Sequence, residues 1–402
     1  MRPFDGRQVI LGVTGGIACY KAVSLARLLT QAGAVVDVIM SRAAREFVGP
    51  ISFEAVTGRP IAPDILDQGH ALAHIRLAKE AALVLIAPAT ADFLARAASG
   101  RADDQMTAVL LATKAPVLIA PAMNDGMWSH ELVRRNVQCV RELGYEVVDP
   151  ADGPLAFGEG TGPGRLPEPE TLLAHAGRLL ETAKGLAGKR IVVTAGPTRE
   201  SLDPVRYITN HSSGRMGIAI AAAAWRRGAL VTLVHGPLEV ALPTVSAHVA
   251  VTSTAEMRDA VASALANADA LIMAAAPADF RAADISAQKI KKSESAPRLL
   301  LAHTDDILAS TRGLRKVGAI VMGFALETSS VEENALAKMA RKGLDFIVAN
   351  DATELGAGFG TDTNRVVILS ANGDRETPPL MQKTDLADLL LDRIVRAWDA
   401  RA

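Results

Sequence analysis

Cysteine is nearly absent. Only Cys19 and Cys139 occur in 402 residues, too few for a disulfide framework or a cysteine-rich metal site, and this usage fits a reducing compartment. Net charge is missing too: 43 Lys and Arg face 44 Asp and Glu, so no overall field recruits nucleic acid or an anionic membrane. Any anionic ligand must therefore be held by local groups. The segment Met1–Arg7 carries no signal-peptide pattern, and no apolar run is long and uninterrupted enough to span a membrane. The expectation is a cytoplasmic protein with neither membrane nor nucleic-acid partners. The Gly-x-Gly-x-x-Gly dinucleotide fingerprint is also missing, because the first glycines after a strand fall at Gly12, Gly15 and Gly16.

What is present reads as α/β. The length suggests two domains of about 200 residues each. Gln8–Val13 reads as a strand that turns through Thr14-Gly15-Gly16-Ile17 into a helix bearing Leu25, Leu28 and Leu29, a phosphate-loop pattern or an ordinary βα turn. The next strand, Ala34–Met40, ends at Ser41 and Arg42, a hydroxyl and a cation that suit a phosphate better than a ribose diol. Ala82–Ala87 runs into Pro88-Ala89-Thr90-Ala91-Asp92, and Val117–Ala120 into Pro121-Ala-Met-Asn-Asp-Gly-Met-Trp128. If these strands are parallel, their loops share one sheet edge, where open α/β sheets bind ligands. The octapeptide reads as a core-capping loop or as a binding loop offering Asn124, Met123, Met127 and Trp128. His74 opens a mostly apolar stretch, Ile75, Leu77 and Ala78, and reads as a packed histidine or a proton-transfer group.

Taken together, Gly15-Gly16-Ile17, His74, Pro88–Asp92 and Pro121–Trp128 resemble the flavin-dependent cysteine decarboxylase family over roughly the first 180 residues. The resemblance implies FMN across the strand ends, contacted by Gly15, Gly16, Ser41, Ala89 and Thr90. It implies His74 as the catalytic base and Asn124 as the holder of the substrate carboxylate. It also implies a substrate clamp at Gly158, Gly162, Gly164 and Arg165. In that clamp Phe157 stands where the family carries a proton-donating cysteine, and phenylalanine has no proton to give. Cys19 and Cys139 fall outside the clamp and read as packing residues.

After a Gly- and Pro-dense loop at Pro150–Leu166, a helix is expected from about Pro169 to Ala183, then a bridge, Lys184–Lys189. A new strand, Arg190–Thr194, turns through Ala195-Gly196-Pro197-Thr198 and begins a second α/β unit. The expected fold is therefore two Rossmann-like domains, residues 1–187 and 188–402. Ser212 and Ser213 precede a helix expected at Ile218–Trp225, either a capped helix or an anion site. Gln288-Lys289-Ile290-Lys291-Lys292 reads as a solvated face or a phosphate contact, and Lys338 and Lys342 share a helix face. Strand Ile347–Asp351 ends in polar groups that alone mean little.

This half resembles phosphopantothenate–cysteine ligases. The resemblance implies that CTP activates the carboxylate of 4'-phosphopantothenate as an acyl-cytidylate, and that cysteine's amine displaces CMP. Asn210 and Lys289 then stabilise the activated intermediate, while Asp279, Phe324, Lys338 and Lys342 hold nucleotide. Met273, Ala274 and Ala275, with Asp305, Asp306, Ile307 and Leu308, surround it, and Mg2+ accompanies the triphosphate through ligands no motif fixes. Together the halves imply conversion of 4'-phosphopantothenate, cysteine and CTP into 4'-phosphopantetheine by a homo-oligomer, by resemblance a dodecamer. Phe157 motivates an alternative, a ligase whose first half is an FMN-binding oligomerisation module with impaired decarboxylation. A generic nucleotide-binding dehydrogenase pair is disfavoured by the glycine spacing and by Ser41.

Overall fold

The computed structural model describes residues 3–291, 298–327, 330–351 and 360–401, so Lys292 of the lysine-rich run lies outside the described residues. The chain divides into two compact units, Met1–Thr182 and Ala183–Ala402.

In the first unit, β1 (Gln8–Val13), β2 (Val35–Met40), β3 (Leu83–Ala89), β4 (Val117–Pro121) and β5 (Glu146–Val147) form one parallel sheet in the order β2-β1-β3-β4-β5. Helices cover both faces, which is why the strands read as nearly continuous apolar runs rather than alternating ones. Alternate residues still divide: Val9, Leu11 and Val13 enter one core with Leu25 and Leu29, while Ile10 enters the other with Phe93 and Val109. The order reverses between β1 and β3, and in such doubly wound sheets the crevice at that reversal is where ligands sit. A hairpin, β6 (Ala151–Pro154) with β7 (Thr161–Arg165), follows.

In the second unit, β8 (Arg190–Ala195) leads to a small hairpin, β9 (Arg199–Ser201) with β10 (Tyr207–Thr209). The helix Arg215–Arg226, β11 (Leu230–His235), β12 (Ala247–Ala250) and β13 (Ala270–Met273) come next. β14 (Phe280–Ala282) pairs with β15 (Leu301–His303), followed by β16 (Ile320–Glu327), β17 (Phe346–Asp351) and β18 (Thr363–Asn364). β19 (Val367–Ser370), β20 (Arg375–Glu376) and β21 (Met381–Gln382) complete the strands, and β18 pairs with β21. The main sheet runs β12-β11-β8-β13-β16-β17-β19-β20, its first six strands parallel and the last two antiparallel. Six parallel strands wound outward from β8 in both directions are the dinucleotide-fold order, with its switch point between β8 and β13. Both halves are thus α/β with Rossmann-like winding, the first in the five-stranded flavodoxin order.

Candidate functional sites

In each unit a group of the candidate residues gathers where the strand order reverses. In the first, Thr14 stitches β1 to β3: its hydroxyl donates to the Pro88 carbonyl at 2.7 Å and accepts from the Thr90 N–H at 2.9 Å. Thr90 in turn caps the helix Ala91–Ala98 through the Phe93 N–H. A Cβ on Gly15 would lie 2.4 Å from the Ala43 Cβ, so only glycine lets this turn pack against the loop that follows Ser41. Gly16 faces open space, and the N–H groups of Gly15 and Gly16 have no protein acceptor among the described residues. Free donors ahead of the helix Cys19–Gln31 make an anion cradle, so the residues present fit the phosphate end of a flavin nucleotide. We expect Gly15→Ala to force Ala43 away and yield protein that takes up no FMN, read as loss of the yellow absorbance. Normal uptake would contradict this packing account.

Asn124 caps the short helix Asp125–Ser129, its Oδ1 accepting the Gly126 N–H at 2.9 Å. The capping role is therefore real, and it leaves the Nδ2 donors for a ligand carboxylate. β7 lies on this loop, with the Gly164 carbonyl accepting the Met123 N–H at 3.0 Å. A Cβ at Gly164 would fall 2.2 Å from the Met123 carbonyl oxygen, which explains the glycine. Gly162 and Gly164 of the clamp are thus packed against Asp125 and Met123, the neighbours of Asn124, while Gly158 lies in the open hairpin turn. Arg165 is turned to Glu168 at 3.2 Å, and Phe157 stands fully exposed at the hairpin tip. His74 lies in the first turn of the helix Ala73–Glu80, and no hydrogen bond joins it to the edge loops among the described residues. Its Nδ1 is buried without a partner, which leaves Nε2 as the nitrogen open to a ligand. Cys19 is wholly buried, its thiol pushed up by desolvation, and Cys139 is half-buried.

In the second unit the turns after β8 and β13 are zipped by the Ala276 N–H donating to the Gly196 carbonyl at 2.9 Å. Beside them opens a cavity of about 540 Å³. Asn210, Met273, Ala274, Ala275 and Asp279 line it from the β13 side. Asp305, Asp306, Ile307, Leu308, Phe324, Lys338 and Lys342 line it as well. Burial, and then the neighbouring Lys342, push the Lys338 ammonium below the ordinary lysine range. Its Nζ donates to the Phe324 carbonyl at 3.2 Å. Lys342 pairs with Asp306 at 2.9 Å, and although burial disfavours that carboxylate's charge, the pairing wins and holds it below the usual range. Two lysines one turn apart in a partly dry wall are poised for an anion that relieves their repulsion.

The helix after Ser212 and Ser213 starts at Arg215, earlier than Ile218, and both serines line the cavity. So do Arg215, Asn350, Asn364 and Lys383, which the sequence did not single out as binding groups. Asn350 lies one residue before the end of β17, where the sequence showed only a polar strand end; Asn364 and Lys383 arrive singly from distant segments and carried no signal. Lys289 is exposed and does not line the cavity.

The family models agree with this division: "Flavoprotein" matches residues 2–180, and "DNA/pantothenate metabolism flavoprotein C-terminal domain" matches residues 186–397. The chain is 44% identical over 398 residues to the coenzyme A biosynthesis bifunctional protein CoaBC of Vibrio cholerae, spanning 98% of this chain and 99% of the relative. The chain belongs to the CoaBC family. The Escherichia coli CoaBC protein is 43% identical over 401 residues, covering 98% of each chain. A crystal structure of the C-terminal domain of a CoaBC protein is 36% identical, covering 54% of this chain and 99% of that one at a TM-score of 0.46. As a CoaBC member the protein is a bifunctional enzyme of coenzyme A biosynthesis, with a flavoprotein decarboxylase half and a ligase half. No helix among the described residues is long and apolar enough to cross a membrane.

Proposed function

We propose that residues 188–402 couple 4'-phosphopantothenate to cysteine with CTP, and that residues 1–187 decarboxylate the product to 4'-phosphopantetheine. The observation carrying the reading is that twelve positions implied by the ligase resemblance, from Asn210 to Lys342, line one cavity beside the β8/β13 reversal. There Lys338 and Lys342 would hold the triphosphate while the substrate carboxylate attacks the α-phosphorus and pyrophosphate leaves. Cysteine's amine then attacks the acyl carbon and CMP departs. Charge grows on pyrophosphate and on the acyl oxygen in these steps, and fixed donors and cations stabilise it most where water is excluded. The Asn210 Nδ2 is spent on the Ala276 and Pro277 carbonyls at 3.1 and 3.0 Å, so its free Oδ1 would orient the attacking amine. Mg2+ would travel with the nucleotide phosphates, since no group of three or more His, Cys, Asp or Glu side chains suited to a metal occurs among the described residues.

In the decarboxylase half the Gly15-Gly16 turn, Ser41, Ala89 and Thr90 would hold FMN. When bound, FMN supplies the reversible two-electron oxidation that the cysteinyl thiol carbon needs before CO2 can leave. His74 Nε2 takes the thiol proton, and the Asn124 Nδ2 orients the carboxylate without neutralising it. The reading carries with it a homo-oligomeric, cytoplasmic enzyme that binds small molecules. Supplying 4'-phosphopantothenate, cysteine and CTP and identifying the product by mass tests it: 4'-phosphopantetheine supports it, and no condensation product overturns it.

The exposed Phe157 supplies a sharper measure of the last step. Phe157→Cys restores an acid at the hairpin tip and is expected to raise the ratio of 4'-phosphopantetheine to its two-electron-oxidised enethiol form by about tenfold or more. An unchanged ratio would show that protonation does not pass through this position.

A further inference from the structure

Two buried threonines support the cavity without lining it: Thr198, at the end of the turn after β8, and Thr254, the first residue of the helix Thr254–Leu265. The Ala278 N–H donates to the Thr198 hydroxyl at 2.9 Å. The two hydroxyl oxygens lie 2.8 Å apart, and the Thr254 hydroxyl donates to the Ala278 carbonyl at 3.3 Å. Thr254 spends its only proton on that carbonyl, so Thr198 is the donor between the two hydroxyls. A closed ring of hydrogen bonds therefore grips both main-chain groups of Ala278. The Thr304 hydroxyl donates to the same carbonyl at 2.6 Å, and the Thr304 N–H donates to the Asp279 carbonyl at 3.0 Å. Earlier in the loop the Thr194 hydroxyl accepts the Ala275 N–H at 3.1 Å, the device Thr14 uses on Thr90 in the first unit. The main chain around Asp279 is thus fixed by threonines. Its carboxylate, by contrast, lines the cavity with no hydrogen bond or ion pair among the described residues. Burial works against the charge on Lys338, and the Asp279 carboxylate works for it.

We propose that Thr198 and Thr254 are positioning residues for the nucleotide: their hydroxyl ring on Ala278 sets the adjacent Asp279 carboxylate in the cavity wall. An unpaired carboxylate accepts hydrogen bonds from the hydroxyl or amino groups of a nucleoside. It binds more tightly when its main chain is already held, because less freedom is lost on binding. The hydroxyls come from two separate elements and meet on one residue, the one before Asp279. Because neither threonine lines the cavity, an effect of either on the nucleotide has to pass through the loop that they hold. The inference rests on the reading that Asp279 holds nucleotide.

The test measures coupling kinetics in the full-length protein, with the melting temperature taken for every variant. Thr198→Val keeps the shape of the side chain and removes the hydroxyl. It is expected to raise the KM for CTP about tenfold with kcat within about twofold, the pattern of lost uniform binding. Thr198→Ser restores the hydroxyl and is expected to bring the KM back to within about twofold of the unaltered protein. Thr254→Val opens the ring but leaves the Thr198 acceptor for Ala278; it is expected to raise the KM by less, and it carries the test if Thr198→Val does not fold. In an Asp279→Ala background, Thr198→Val is expected to cost less than about twofold in KM, since the two act as one unit. A lowered melting temperature with unchanged KM, or a Thr198 penalty that multiplies fully with that of Asp279→Ala, would overturn the positioning role while the reading of Asp279 stands. An unchanged KM in Asp279→Ala itself would overturn that reading and the proposal with it.

Discussion

Replacing His74 with asparagine is expected to lower decarboxylation of 4'-phosphopantothenoylcysteine by about 10²–10⁴-fold, while CTP-dependent coupling stays within about twofold. Asparagine is polar and of similar reach, but it accepts no proton near neutral pH, so the variant separates binding from proton transfer. The buried, unpartnered Nδ1 fixes which nitrogen can serve: Nε2 is the one open to a thiol. Product mass and released CO2 give the measurement, and retained flavin absorbance shows that the fold survives. Undiminished CO2 release would remove His74 from the chemistry and return it to the packed histidine that its apolar neighbours first suggested.

The second large effect is expected at Lys289. Lys289→Ala should reduce coupling by about 10²–10³-fold, with CTP still bound by the wall that carries Lys338 and Lys342. An exposed side chain outside the cavity contributes little to a ground-state complex, and it can act only when charge develops on the acyl group and the leaving phosphates. The split between kcat and the KM for CTP is therefore the readout. A raised KM with unchanged kcat would make Lys289 a simple nucleotide contact, and unchanged values of both would make it a solvated surface lysine.

Much of both sites was legible because parallel strands place every following loop on one edge. Once Gln8–Val13 and Ala82–Ala87 read as strands, a parallel arrangement puts the turns at Thr14–Gly16 and Pro88–Thr90 on one edge; the strands are parallel, and Thr14 joins the turns directly. Met273–Ala275 and Phe324, which line the second cavity, were named by the ligase resemblance rather than by this strand logic. Asn364 and Lys383 were illegible because they reach it from a two-residue strand and a helix start whose position depends on the whole chain path. The Asn124 cap was hidden for another reason: one amide can cap a helix with its oxygen and serve a ligand with its nitrogen, and sequence does not divide the two. The distance of Lys289 from the cavity was also invisible, since a lysine-rich run reads alike on a solvated face and beside a phosphate.

The central claim is that one chain carries two separable sites joined by a diffusible intermediate, and complementation tests it most directly. His74→Asn and Lys289→Ala proteins are each given 4'-phosphopantothenate, cysteine and CTP, alone and mixed, and 4'-phosphopantetheine is quantified by mass. The account predicts only trace product from each variant alone, accumulated 4'-phosphopantothenoylcysteine with His74→Asn, and substantial recovery of 4'-phosphopantetheine in the mixture. Failure of the mixture to recover, with both proteins folded and flavin-loaded, would contradict it.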